Sequence, residues 1–117
     1  MQNVRHAFIG MSVLAMALTL SGPAWATMDN LKSLKEAYPG KTAACKECHL
    51  GAIGKTGDLN AYGLALQKAK ADGAKKLTPA DYKAIETQDA DQDGASNLDE
   101  INAGTNPGDP ASTPAKK

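Results

Sequence analysis

The chain has 117 residues, 13 basic and 13 acidic side chains, two cysteines, one tryptophan and one phenylalanine. Its zero net charge leaves no basic surplus for a nucleic-acid backbone, and its length suits a single domain near the size where an apolar core alone becomes marginal. Two cysteines and two histidines, one of them in the leader described next, are too few for a four-ligand structural zinc site.

In chain order, residues 1–26 read as an export signal. Arg5 precedes an apolar run from Ala7 to Leu20, and Ala24-Trp25-Ala26 offers the small-x-small cleavage pattern. The run, about 14 residues, is short of the roughly 20 needed to span a bilayer, and no later segment is more hydrophobic, so no membrane span is expected in the mature chain. Cleavage would leave a chain from Thr27, placed in the periplasm or outside the cell. It would carry away Trp25, Phe8 and His6, leaving Tyr38, Tyr62 and Tyr82 as the only aromatics and His49 as the only histidine. Leucines and isoleucines are sparse as well, so the interior is expected to need added bulk.

Asp29 or Asn30 is positioned to cap a short helix through Tyr38, with Leu31, Leu34 and Tyr38 on one face and Pro39-Gly40 as its stop. A second helix is expected to hold Cys45-Lys46-Glu47-Cys48-His49. C-x-x-C-H is the attachment signature of c-type haem: two thiols one turn apart reach two vinyl groups, and the adjacent imidazole reaches the iron. A redox-active dithiol with the same spacing belongs at a helix start in a βαβ context, and no strand pattern is visible. Covalent haem would also supply the missing interior bulk. The sixth iron ligand stays open. Met28 is the only methionine left after cleavage, beside lysine, the new N-terminal amine, water or a vacant position.

Gly51 to Asp58 reads as a loop, Leu59 to about Ala71 as a helix stopped by Asp72-Gly73, and Thr78-Pro79-Ala80-Asp81 as the capped start of a helix running to about Gln88. Tyr62 in the first of these helices is either a core tyrosine or a group packed on the haem edge. Asp89-Ala90-Asp91-Gln92-Asp93-Gly94-Ala95-Ser96-Asn97-Leu98-Asp99-Glu100 then matches a twelve-residue calcium loop. Asp89, Asp91 and Asp93 would give carboxylates, Ala95 its carbonyl, Asn97 a contact through water, and Glu100 two oxygens, with Gly94 allowing the bend. Ser96 stands where paired loops carry an apolar residue, and no second loop is present, which points to a solitary structural site. A short helical turn ending at Gly104 and a polar, mobile tail from Pro107 complete the chain.

Lysines outnumber acids by roughly four from Thr27 to Lys83, and acids outnumber lysines by roughly five from Ala84 onward. The basic half suits acidic redox partners, and the acidic half suits a cation. The chain resembles a group of exported bacterial monohaem c-type cytochrome-like proteins in which one C-x-x-C-H precedes a calcium loop of the thrombospondin type 3 or dockerin-like kind. The matching stretches are Tyr38-Pro39, Cys45 to His49, Leu59-Asn60-Ala61-Tyr62-Gly63, Asp89 to Glu100, and Ile101 to Pro107.

These readings together give an all-α fold: a small cytochrome c-like helical domain around one covalent haem over 27–88, a calcium loop and short helix over 89–107 packed on it, and a tail over 108–117. The expected ligands are haem c on Cys45, Cys48 and His49, and one Ca2+. The expected function is single-electron carriage rather than catalysis, since no acid, base or nucleophile set accompanies the motif. A haem protein with an open distal site for small ligands or peroxide-type chemistry is the alternative. A secreted calcium-dependent interaction module without haem is the other.

Overall fold

The computed structural model describes residues 25–55 and 57–116, so the expected export signal at 1–26 lies outside the described residues except for its last two. Those two open α1 (Trp25–Ala37), which runs through Asp29 and Asn30 instead of starting at them. No glycine or proline interrupts this stretch, so nothing local forces a start at the expected caps. Asn30 bonds to a distant segment instead, its side-chain oxygen accepting the Leu77 backbone N–H at 2.8 Å. The helix ends as expected, with one further bond from Tyr38 N–H to the Leu34 carbonyl (3.0 Å) before Pro39-Gly40 turns the chain.

The Cys-x-x-Cys-His segment is not a full helix but a single 3-10 turn, Cys45–Glu47. It is cut short because the chain reverses immediately after it. Leu50 N–H donates to the Asp58 carbonyl and Asn60 N–H to the Cys48 carbonyl, both at 3.0 Å, around an isolated antiparallel bridge between His49 and Leu59. Among the described residues this bridge is the only sheet-like pairing, and the architecture is otherwise helical, as the sequence leads one to expect.

Helix α2 (Ala61–Ala69) begins after Asn60, whose side-chain oxygen accepts the Gly63 N–H at 2.9 Å. Helix α3 (Pro79–Lys83) opens as expected, with the Asp81 carboxylate accepting from the Thr78 N–H (2.7 Å) and hydroxyl (2.8 Å). It does not continue to Gln88. Beyond Lys83 the bonds tighten to the i→i+3 pattern, and the chain after the acidic loop docks on the carbonyls that follow. Asn97 Nδ2 donates to the Ile85 carbonyl (2.7 Å), Leu98 N–H to Glu86 (3.1 Å) and Asn97 N–H to Gln88 (2.7 Å).

Helix α4 (Asn97–Ala103) explains the unusual Ser96: its hydroxyl oxygen accepts the Asp99 N–H at 3.2 Å, so the eighth loop position is a helix cap. Gly104, at φ 77°, closes the helix. The first part of the tail, 107–112, packs against the rest of the chain. Pro107 and Gly108 are buried, and Asn106 to Ser112 form hydrogen-bonded turns.

The core joins α1, α2, α3 and α4 through Leu34, Leu66, Leu77, Ile85 and Ile101, and all three tyrosines are buried in it. Leu50 and Ile53, each 75% exposed, add nothing to it. Among the described residues no helix is long and apolar enough to cross a membrane.

Gly63 lies directly on the Cys-x-x-Cys turn, and a Cβ there would run into the Cys48 carbonyl. Gly63→Ala is therefore expected to destabilise the fold by about 1–3 kcal/mol through overpacking. A urea-unfolding midpoint equal to wild type would contradict this packing.

Candidate functional site

Two clusters carry chemistry. The first is a cavity of about 70 Å³ between α1, the Cys45–His49 turn and the start of α2. Cys45, Cys48 and His49 all line it, together with Leu31, Leu34, Leu59, Leu77, Gly63, Ala44, Asn30 and Tyr82. Both cysteines are free thiols. Burial, reinforced by the neighbouring Glu47 and Cys45, pushes the Cys48 thiol up to about 12. Glu47, also buried, has its carboxyl held above the usual carboxylate range by desolvation, partly offset by Lys46.

His49 Nδ1 lies 3.1 Å from the Asp58 carbonyl oxygen. A carbonyl only accepts, so a hydrogen bond there places the ring proton on Nδ1 and leaves a free lone pair on Nε2. That tautomer leaves Nε2 free to bind a metal, with the ring oriented by a backbone partner. The turn itself is held from outside. Asn60 Nδ2 donates to the carbonyls of Lys46 (3.1 Å) and Glu47 (2.9 Å), and Asn106 Nδ2 donates to Lys46 (2.9 Å).

The donor set and the apolar walls fit a covalently attached haem: two thiols and one imidazole with the correct free nitrogen meet on one surface. The cavity as it stands is smaller than a porphyrin, so seating one requires its walls to move apart. Met28 is 67% exposed and absent from the lining. Tyr62 does not reach the cavity either. It is 1% exposed, with a buried hydroxyl that lacks a hydrogen-bond partner, and Tyr82 takes the wall position, donating its hydroxyl to the Asn30 carbonyl at 2.8 Å.

The second cluster is the acidic loop. The carboxylates of Asp89, Asp91 and Asp93 approach within 4.8 Å of one another and could hold a metal ion. The loop shapes itself with its own backbone. Asp89 accepts from Asp93 N–H (3.2 Å) and Gly94 N–H (2.8 Å), Asp91 from Asp93 N–H (3.2 Å), and Asp93 from Ala95 N–H (2.8 Å). Gly94, at φ 96°, makes the bend expected of it.

Glu100 supplies an independent sign of a ligand. It is 0% exposed, and neither carboxylate oxygen has a partner; one oxygen each of Asp91 and Asp93 is buried and unpartnered too. Desolvation, with repulsion from Asp91, Asp93 and Asp89, pushes the Glu100 carboxyl up to about 8. Unpartnered buried carboxylate oxygens are costly, and a hard cation is the group that satisfies several at once. Asn97 ties the loop to the scaffold: its amide accepts from Ala90 N–H (3.1 Å) and donates to Ile85, binding the loop to the end of α3.

The chain matches no family model, no curated protein and no solved structure. The sequence offered Asn30 only as a helix cap, not as the partner of Leu77 and Tyr82, and it assigned no specific role to Asn60, Tyr82 or Asn106. Asn30 had a local signal, a polar residue beside Leu31 and four before Leu34 on the apolar face, whereas Asn106 had none.

Calcium at about a hundred times its dissociation constant is expected to stabilise the chain by about 2.7 kcal/mol, seen as a higher melting temperature. Glu100→Gln should remove most of that rise. A melting curve indifferent to both calcium and chelator would show that the loop is not a cation site.

Proposed function

We propose that the chain is an exported c-type haem protein that carries single electrons, with a calcium ion in the 89–100 loop supporting the fold. One observation carries the haem reading: Cys45, Cys48 and a His49 imidazole whose Nδ1 is engaged by the Asp58 carbonyl share one apolar cavity. In this reading the Cys45 and Cys48 thiols hold the macrocycle through thioether bonds, and His49 Nε2 ligates the iron. A haem bound in this way supplies one-electron ferric/ferrous chemistry.

The protein's own residues set the conditions for that chemistry. The Asp58 carbonyl fixes the imidazole and raises its basicity, which favours the oxidised metal. Leu31, Leu34, Leu59 and Leu77 exclude water and lower the local polarity, which disfavours the extra positive charge of the oxidised state. Asn60 and Asn106 keep the turn between the thiols from shifting when charge changes. Lys41, Lys46 and Lys55, all exposed, give this end of the molecule the basic character suited to an acidic redox partner.

A second reading is favoured by the lining itself. Among the described residues, the cavity wall contains no methionine, no lysine and no imidazole other than His49. An iron held by His49 alone on the protein side would keep an open position, the arrangement of a haem that binds small ligands.

Protein made in a host competent in cytochrome maturation should stain for haem on a denaturing gel and weigh one haem more than the mature peptide. Cys48→Ala should weaken the attachment, and an intact mass equal to the bare peptide refutes the haem reading. Carbon monoxide then separates the two roles, with rapid binding by the reduced protein supporting the open site and an inert spectrum supporting the carrier. Met28→Ala is expected to leave the visible spectrum unchanged, and a displaced absorption maximum would instead identify Met28 as the distal ligand.

A further inference from the structure

We propose that cation occupancy of the acidic loop controls how firmly the Cys45–His49 turn is held, through Glu100, the α4 C-terminus and Asn106. The proposal rests on the reading of 89–100 as a cation site and does not require haem.

Glu100 belongs to both the loop and α4. Its carboxylate is buried without a partner on the loop side, while its backbone carbonyl accepts the Thr105 N–H (3.0 Å) and the Thr105 hydroxyl (3.3 Å). The next residue, Asn106, reaches across the molecule to the carbonyl of Lys46, between the two thiols. Asn106 is itself fixed on every side. Its side-chain oxygen accepts Gly108 N–H (2.9 Å), its backbone N–H donates to the Ser112 hydroxyl (3.0 Å), and its carbonyl accepts Asp109 N–H (3.1 Å). Gly108 in turn lies against the Asn60 amide so closely that a Cβ would collide with it. Asn60 is the other clamp on the same turn. Lys41 adds a parallel tie, donating to the Asn102 carbonyl of α4 at 3.3 Å.

The direction follows from charge. An ionised Glu100 is repelled by Asp89, Asp91 and Asp93 while no cation stands between them, which works against keeping its carboxylate, and with it α4, seated on the loop. A divalent cation reverses that force and draws Glu100 inward. Because Thr105 is hydrogen-bonded to the Glu100 carbonyl and Asn106 follows it directly in the chain, the cation favours the state in which Asn106 grips Lys46. Each site then biases the other by the same factor.

Amide hydrogen exchange of the purified protein, with calcium or with chelator, tests the linkage, and calorimetry reports calcium binding separately. Calcium is expected to slow exchange at Cys48, His49 and Asn60 by about fivefold or more. In Asn106→Asp, which keeps the acceptor for Gly108 but loses the donor to Lys46, calcium should still bind and still protect residues 89–100, while protection at 45–60 disappears. Asn106→Ala serves the same purpose if the aspartate variant fails to fold. Calcium that binds to wild type without slowing exchange at 45–60 overturns the linkage, as does full protection of 45–60 in a folded Asn106 variant. Absence of calorimetric binding overturns the cation-site reading and the linkage together.

Discussion

The Asn60 side chain makes three hydrogen bonds at once: its oxygen caps α2 through Gly63, and its nitrogen holds the carbonyls of Lys46 and Glu47. The residue is buried, so none of these bonds is readily replaced by water. This amide sets the angle between α2 and the turn bearing Cys45, Cys48 and His49. It also places Gly63 against the Cys48 carbonyl and, through the Asn60–Cys48 backbone bond, orients the strand-like pairing that brings Asp58 to His49. Thiols, imidazole and imidazole partner are thus positioned by one short side chain and the reversal beside it.

The two clusters have opposite deficits. The cavity has apolar walls and chemically competent ligands but little to fill it, in a chain whose core relies on three tyrosines and a few aliphatics. The loop has an excess of negative charge and four buried oxygens without partners. The deficit of the loop matches what a hard cation would bring, whereas the cavity, at about 70 Å³, is smaller than the macrocycle proposed for it. The surface ion pairs, Lys32–Glu36, Lys76–Asp29 and Lys83–Glu86, lie at 3.8–3.9 Å between largely solvated side chains and add little to either.

What was legible in the sequence is what depends on neighbours along the chain. The helix start at Thr78-Pro79, the stop at Pro39-Gly40, the bend at Gly94 and the carboxylate spacing of the loop are all local, and the structure places them where the pattern does. The expected span of α3 failed because the bonds after Lys83 tighten to the i→i+3 pattern, and the segment docked on that stretch, with Asn97 on the Ile85 carbonyl, comes from twelve residues away. The turn of Cys45–Glu47 is shorter than expected for a similar reason, the pairing with 58–60. Leu50 and Ile53 look like core residues by type, yet lie outside because the reversal turns them to solvent. The docked segment after α4 was invisible for want of hydrophobic pattern. It is held by the Asn106 amide and by backbone turns, and composition alone reads such residues as loose.

The protonation of Cys48 bears on what happens before any group is attached. Disulfide formation proceeds through the thiolate, and a thiol held near 12 is almost entirely un-ionised at neutral pH. In oxidising surroundings Cys48 is therefore a poor attacking group, and closure of the Cys45–Cys48 pair has to begin at the Cys45 sulfur. The same burial means that Cys48 adds to an electrophile in the cleft only where a base takes its proton.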